Sequence, residues 1–215
     1  MLITYHGHAQ FLIQLANGYR ILTDPFDPNV PWPFRRTQAD LVTISHEHFD
    51  HTHVEKVDGQ PQVIRGLGTQ KLPNGLRVTG LPSFHDDAQG AKRGENTITL
   101  IEADGLRLAH LGDLGDMPRH EVIEALEDLD LILVPVGGTY TLDAAQAAQL
   151  MQLLRPKVII PMHFKKGEQG FQNIGPAEDF ISAMAPMQAS RQPLLRVTKE
   201  DISQAPELVV LEVAP

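Results

Sequence analysis

Seven residues, Ser45-His46-Glu47-His48-Phe49-Asp50-His51, constrain this chain more than any other stretch. They follow the apolar run Leu41-Val42-Thr43-Ile44 and read as an H-x-H-x-D-H metal-binding signature. With ten histidines in 215 residues, such a pattern arises by chance in roughly one or two chains per thousand. Residues two apart on an extended segment face one side, so His46 and His48 can grip one ion together. Asp50 and His51 lie past the strand end, where a turn can aim them at a second ion. The chain must therefore bring a strand end to a place where further ligands can meet it.

Composition narrows what those ligands can be. The sequence has no cysteine, which removes disulfides, thiolate nucleophiles and Cys-bound zinc and leaves His, Asp and Glu as donors. A formal net charge of −9 repels DNA and RNA at long range. Two divalent ions would still leave the chain negative, so nucleic acid is not the expected partner. A small-molecule substrate is, and a small anion suits a locally positive metal site. No apolar run approaches the ~20 residues of a membrane span. The amino terminus has no basic region leading into an apolar stretch, so a cytoplasmic location is expected. Homo-oligomerisation stays open.

The length suits a single domain over residues 1–215. Short β-type runs fill the first half, at 11–15, 19–23, 41–45, 62–65, 76–79, 97–102 and 107–111. Asn17-Gly18, Asn74-Gly75 and Asp104-Gly105 supply hairpin turns between several of them. The second half mixes strands at 131–136, 158–161 and 208–213 with helices. Apolar spacing predicts helices over 118–129, over 143–154 with Thr141 as N-cap, and over 176–185. Residues 24–40, with Pro25, Pro28, Pro31, Pro33 and Trp32, should form a rigid loop. Trp32, Phe34, Arg35 and Arg36 are candidates to roof a pocket there, or simply to line a surface loop. A strand-rich half followed by a mixed half suggests two packed sheets with helices outside.

Two ions need about three ligands beyond the signature. His85, Asp113 and His163 each end an apolar run, after Leu81-Pro82-Ser83-Phe84, Leu108-Ala109-His110-Leu111-Gly112 and Val158-Ile159-Ile160-Pro161-Met162. A carboxylate can bridge two cations, which makes Asp113 the natural bridge. Together, His46-Glu47-His48-Phe49-Asp50-His51, Ser83-Phe84-His85-Asp86, Gly112-Asp113-Leu114-Gly115 and Pro161-Met162-His163 resemble the ordered motifs of the metallo-β-lactamase-fold hydrolases. Tyr5-His6-Gly7-His8, Thr23-Asp24-Pro25-Phe26 and Val136-Gly137-Gly138-Thr139 are similar to the small metal-dependent hydrolases related to ascorbate-phosphate lactonases. The similarity runs from Ile3 to Phe164, and the tail from Lys165 carries no motif of it. The resemblance implies an α/β (α+β) fold, a four-layer αβ/βα sandwich of two mixed β-sheets with the site at strand ends. By motif position it implies that His46, His48 and His85 bind one metal, Asp50, His51 and His163 the other, with Asp113 shared.

Two divalent ions, zinc first and manganese or iron as alternatives, with Asp50, Asp113 and one hydroxide leave a single positive charge. The expected function is a metal-dependent hydrolase whose metal-bridging hydroxide cleaves a small ester, lactone or phosphate-bearing substrate. In it Asp50 acts catalytically, orienting the nucleophile or taking its proton. An iron-dependent redox enzyme on the same cage and a non-catalytic metal-stabilised binding module are the rival readings. Asp24 ends a β run and is a candidate to hold a ligand imidazole by its second N–H. His6, His8 and Tyr140 are weaker candidates to support the site or touch substrate. His53, His110 and His120 are expected to be non-ligands.

Overall fold

Strand alternation in the amino-terminal part sorts its side chains onto two faces. Ile3, Tyr5, Phe11, Ile13, Ile21 and Leu41 turn into the main core, while Leu22, Val42 and Ile44 turn the other way into a second, smaller cluster. Burying each such side chain contributes about 1.5–3 kcal/mol, so a one-residue slip in register would be strongly opposed. In this computed structural model, which describes residues 1–214, these strands form a six-stranded sheet. Its order is Leu195–Arg196, Leu2–Gly7, Gln10–Gln14, Arg20–Thr23, Leu41–Ile44, Gln62–Arg65. The last two junctions, Arg20–Thr23 with Leu41–Ile44 and that strand with Gln62–Arg65, are parallel.

An eight-stranded sheet faces it across the main core. Its order is Ala189–Gln192, Leu208–Leu211, Val158–Met162, Leu131–Pro135, Leu106–His110, Glu95–Ala103, Arg77–Phe84, Gly68–Lys71. The first four junctions are parallel and the last three antiparallel, closed by hairpin turns at Asp104-Gly105 and Asn74-Gly75. Leu131–Pro135 and Val158–Met162 are buried at every position, as continuous apolar runs in parallel strands should be. The α/β fold of two mixed sheets is therefore the one expected. Buried residues of the three α-helices all belong to the main core cluster. The smaller cluster is instead capped by Val54 of a 3-10 turn, Val54–Lys56, and by Ala39 and Val57 around the two-stranded ribbon Thr37–Gln38 with Val57–Asp58. The layer outside the smaller sheet is thus thin.

Local details differ from the sequence expectations for identifiable reasons. Helix α1 spans only His120–Ala125. The backbone turns at Asp128, whose φ is +56°, so the apolar spacing at Leu126 and Leu129 continues past the helix into a buried turn. Helix α2, Ala144–Leu154, is capped by Asp143 rather than Thr141. Asp143 Oδ1 accepts the Gln146 N–H at 2.8 Å and Gln146 Oε1 accepts the Asp143 N–H at 3.0 Å, a reciprocal box that Thr141 is too far upstream to make. Helix α3 is Ala177–Ala183. The tail beyond Lys165 contributes α3 and strands to both sheets. The proline-rich loop is irregular except for Thr37–Gln38. Trp32 is buried against Tyr5 and Phe164, and Arg36 pairs with Asp58, so neither acts as a roof. No helix among the described residues is long and apolar enough to cross a membrane.

Candidate metal centre

Most of the candidate residues sit just past the carboxyl end of a strand. His8 follows Leu2–Gly7, Asp24 follows Arg20–Thr23, and the signature follows Leu41–Ile44 in the smaller sheet. His85 follows Arg77–Phe84, Asp113 follows Leu106–His110, and His163 follows Val158–Met162 in the larger. Ligand sites in α/β sheets form at such ends, where loops rather than strands meet. Backbone bonds stitch the two sets together: Thr97 N–H donates to the Ser45 carbonyl at 2.8 Å, and His163 N–H to that of His8 at 2.9 Å.

Asp113 stands at the hub. Its Oδ2 lies 3.3 Å from His51 Nε2, 3.3 Å from His85 Nε2, 3.2 Å from His163 Nε2 and 4.0 Å from His46 Nε2. Around it the ligand atoms fall into close groups, within 4.8 Å of one another: His46 with His48 and His85, His46 with Asp50 and His51, and His8 with His51 and His163. Donors at ~2.0–2.1 Å from a tetrahedral ion are separated by roughly 3.3 Å, so the edges at Asp113 match those of a coordination polyhedron. His46 Nε2 and Asp113 Oδ1 are buried with no hydrogen-bond partner among the described residues. Buried polar atoms are rarely left so, and the donor set fits divalent ions.

Hydrogen bonds on the far side of the rings set which nitrogen faces inward. Asp24 Oδ2 accepts the Ser45 hydroxyl at 2.6 Å and the His51 Nδ1–H at 2.9 Å, while its Oδ1 accepts Ser45 N–H. Having donated its proton, Ser45 Oγ can accept from His46 Nδ1–H at 2.9 Å. His85 Nδ1–H donates to the Tyr140 carbonyl at 3.0 Å. Three imidazoles thereby turn their Nε2 atoms towards Asp113. Asn96 holds the Asp113 turn, its Oδ1 accepting Asp113 N–H at 3.0 Å. A Cβ at Gly112, with φ +56°, would lie 2.4 Å from that oxygen and 2.5 Å from Ser45 Cβ, so glycine is required there.

The electrostatics favour a cation. Burial would raise the carboxyl of Asp113, but His163 and His51 hold its pKa well below the ordinary range. Burial would lower His51, yet Asp113 and Asp24 outweigh it and raise its pKa well above normal. A positive charge is thus stabilised between the two carboxylates. Burial and neighbouring His51 lower His46 to about 3, leaving its Nε2 lone pair free.

Asp24 therefore sits behind two of the imidazoles, and His8 lies inside the cluster. Tyr140 meets it through its backbone carbonyl; its hydroxyl accepts from Asn173 Nδ2. His6 belongs to none of the close groups, its Nδ1 accepting from Gln10 Nε2 at 3.1 Å. His110 Nε2–H donates to the Ala9 carbonyl at 2.8 Å and its Nδ1 accepts Gly112 N–H at 3.1 Å, bracing the Asp113 loop. His53 contacts Asp27 and Glu55, and His120 contacts Glu124. Ser45 and Asn96 went unrecognised as site residues in the sequence, because their roles depend on partners distant in the chain.

A cavity of about 360 Å³ opens beside the first group, lined by Ser45, His46, His48, Arg65, Arg93 and Thr97 among others. Arg65 is neutralised by both oxygens of Glu47, at 2.8 and 2.7 Å. Arg93 lies over the Tyr140 ring, 5.4 Å from its centroid, with no carboxylate partner among the described residues. A larger open groove, about 700 Å³, lies among Lys71, Arg77, Glu102 and Asp104. None of the clustered imidazoles lines it, so the smaller cavity is the one that bears on chemistry.

Residues 2–163 match the family described as the Beta-lactamase superfamily domain. A UPF0173 metal-dependent hydrolase of Lawsonia intracellularis is 31% identical over 215 aligned residues, covering 86% of this chain and 92% of that protein. A proposed Zn-dependent hydrolase of the metallo-beta-lactamase superfamily from Thermotoga maritima has a solved structure that superposes with a TM-score of 0.79. It is 34% identical, and the match covers 98% of this chain and 97% of that one. Igni18, a metallo hydrolase from Ignicoccus hospitalis, superposes with a TM-score of 0.65 at 26% identity, covering 85% and 89%. The Thermotoga match includes the tail beyond Lys165, which is therefore part of the shared fold.

Proposed function

We propose that this chain, which belongs to the beta-lactamase superfamily and within it to the UPF0173 metal-dependent hydrolases, acts as one domain over residues 1–215 that hydrolyses a small, anionic ester, lactone or phosphate-bearing molecule at a two-ion centre. One observation carries the reading. Asp113 Oδ2 sits within 4.0 Å of four imidazole nitrogens that come from both sides of it. In this assignment His46, His48 and His85 hold one ion, Asp50, His51 and His163 hold the other, and Asp113 is shared. Zinc is the first choice for nests this rich in imidazole. When bound, the ions supply hydroxide at neutral pH and positive charge for the developing oxyanion.

The protein's own groups do the rest. Asp24 and Ser45 take the Nδ1 protons of His51 and His46, which aims the Nε2 atoms of both rings inward. Asp50, the carboxylate nearest solvent at 13% side-chain exposure, orients the attacking water and accepts its proton. Arg93, with its charge unanswered at the cavity wall, binds the anionic substituent of the substrate.

A panel of lactones, phosphodiesters and thioesters, assayed with and without chelator, tests this reading. Turnover of at least one class that chelator abolishes and zinc restores is expected. No turnover of any class with zinc, manganese or iron bound would overturn it. Arg93→Ala should raise KM for an anionic substrate about tenfold, with kcat little changed. An equal KM would remove Arg93 from the assignment.

A further inference from the structure

His8 is buried inside the cluster, yet the two-ion assignment gives it no task. The chain makes an effort to place it. The register of Leu2–Gly7 against Gln10–Gln14 shifts between Tyr5 and Gly7, and Gly7 and His8 then follow with φ of +107° and +55°. A left-handed conformation is unusual for histidine and persists only where its surroundings impose it. Here they do. The His8 carbonyl accepts two hydrogen bonds, from the Tyr5 hydroxyl and from His163 N–H, both at 2.9 Å. A Cβ on Gly7 would come within 2.8 Å of the Trp32 ring. The His8 ring is enclosed by those of His51, His163, Phe26 and Phe171.

The two ring nitrogens have different surroundings. Nδ1 is buried with no partner among the described residues. Nε2 lies 3.2 Å from Asp50 Oδ2 and 3.2 Å from His51 Nε2. His51 Nδ1–H goes to Asp24 and His51 Nε2 lies 3.3 Å from Asp113 Oδ2, so both ring nitrogens of His51 already face carboxylates other than Asp50. The arrangement that leaves the fewest groups unsatisfied places the proton of His8 on Nε2, donated to Asp50. For Asp50 this matters more than for its neighbours: the bond from His8 is the one hydrogen bond its side chain makes among the described residues. Asp113 by contrast is hemmed in by four imidazoles, and Asp24 accepts three hydrogen bonds.

We propose that His8 is the positioning residue for Asp50: a donor whose Nε2–H fixes the orientation of the carboxylate that joins the second ion to the attacking water. The proposal rests on the reading of Asp50 as a ligand of that ion. Partners of this kind change metal affinity by about 10–100-fold when removed, without being ligands themselves.

The test uses chelator competition with zinc on wild-type protein and on the His8→Ala, His8→Gln and Asp50→Ala variants, with folding checked by circular dichroism. His8→Ala should weaken one zinc site by 10–100-fold and leave the other unchanged. His8→Gln, whose amide N–H can donate from a similar distance, should recover most of the loss, and kcat of the zinc-saturated variants should follow the same order at constant KM. Unchanged zinc affinity in His8→Ala overturns the proposal. So does a loss that His8→Gln cannot relieve, because that pattern marks His8 as a direct ligand. Should His8→Ala fail to fold, the glutamine variant still decides: near wild-type affinity at one site and full affinity at the other supports positioning, and loss of a zinc site refutes it. Asp50→Ala separates the two readings. If it keeps both zinc ions at wild-type affinity, the assignment of Asp50 fails, whatever the His8 variants do.

Discussion

The two halves of the centre are held differently. Around His46, His48 and His85, the two buried rings donate to fixed acceptors, Ser45 Oγ and the Tyr140 carbonyl, and the group opens onto the cavity beside Arg93. His48 itself reaches solvent. Around His51 and His163 the group is closed except at Asp50. Both rings are buried, His8, Asp24 and His163 all have positive φ, and the Nδ1 atoms of His8 and His163 lack partners. One half is organised by ordinary hydrogen bonds and faces the cavity. The other is organised by backbone constraint and faces the core. Local strain tolerated in the second half implies that its geometry matters more than its cost in stability.

Removing what the halves share should break the distinction outright. Asp113→Ala is expected to lose both ions and at least ~10³-fold in kcat/KM, with the fold retained; elemental analysis and far-UV circular dichroism check both points. If one ion stays bound at full occupancy, Asp113 is not shared. Asp24→Ala removes the common support of His51 and of Ser45–His46, so both sites should weaken about 10–100-fold in chelator competition. Weakening of a single site would show that only one of the two contacts counts.

Acid should separate the halves. His51 has a raised pKa, caused by Asp113 and Asp24 against the effect of burial, so below that pKa an ion must displace its proton. His46, lowered to about 3, and His85, also lowered by burial, impose no such competition. Affinity of the second site should therefore fall by up to about tenfold per pH unit as pH drops below the His51 value. Isothermal titration in buffers of different ionisation enthalpy should show one proton released per ion there. Equal proton release at both sites would contradict the assignment of His51. The smallest effect is expected for Ser45→Ala, which leaves Asp24 and His51 in contact and loosens only His46. A several-fold loss confined to the first site is predicted, by the same competition assay.

The candidate ligands that the structure gathers are legible in the sequence because each one announces itself locally. An imidazole or carboxylate directly after an apolar strand needs no knowledge of its neighbours in space. His46 to His51, His85, Asp113 and His163 all share that pattern. What lies behind the ligands carries no such mark. Ser45 and Asn96 look like any polar residue near a strand end, and only contact with Asp24 or Asp113 reveals their use. His8 was visible but ambiguous, since its partner Asp50 is 42 residues away. The same limit applies to the fold. Gly68–Lys71 is exposed at every position, so it shows no alternation, and pairing with Arg77–Phe84 alone makes it a strand. Helix α1 is shorter than its apolar spacing predicts because that spacing continues past Ala125 while the helix does not.

The ligands' order along the chain also sets an order in time. The side chains of the open group all lie within the first 85 residues, whereas the closed group waits for His163, which reaches it only when Val158–Met162 has paired beside Leu131–Pro135. The backbone bond from His163 to His8 is what ties the late-arriving residue to the earlier ones. The second group can therefore be assembled only as the growing chain finishes its core.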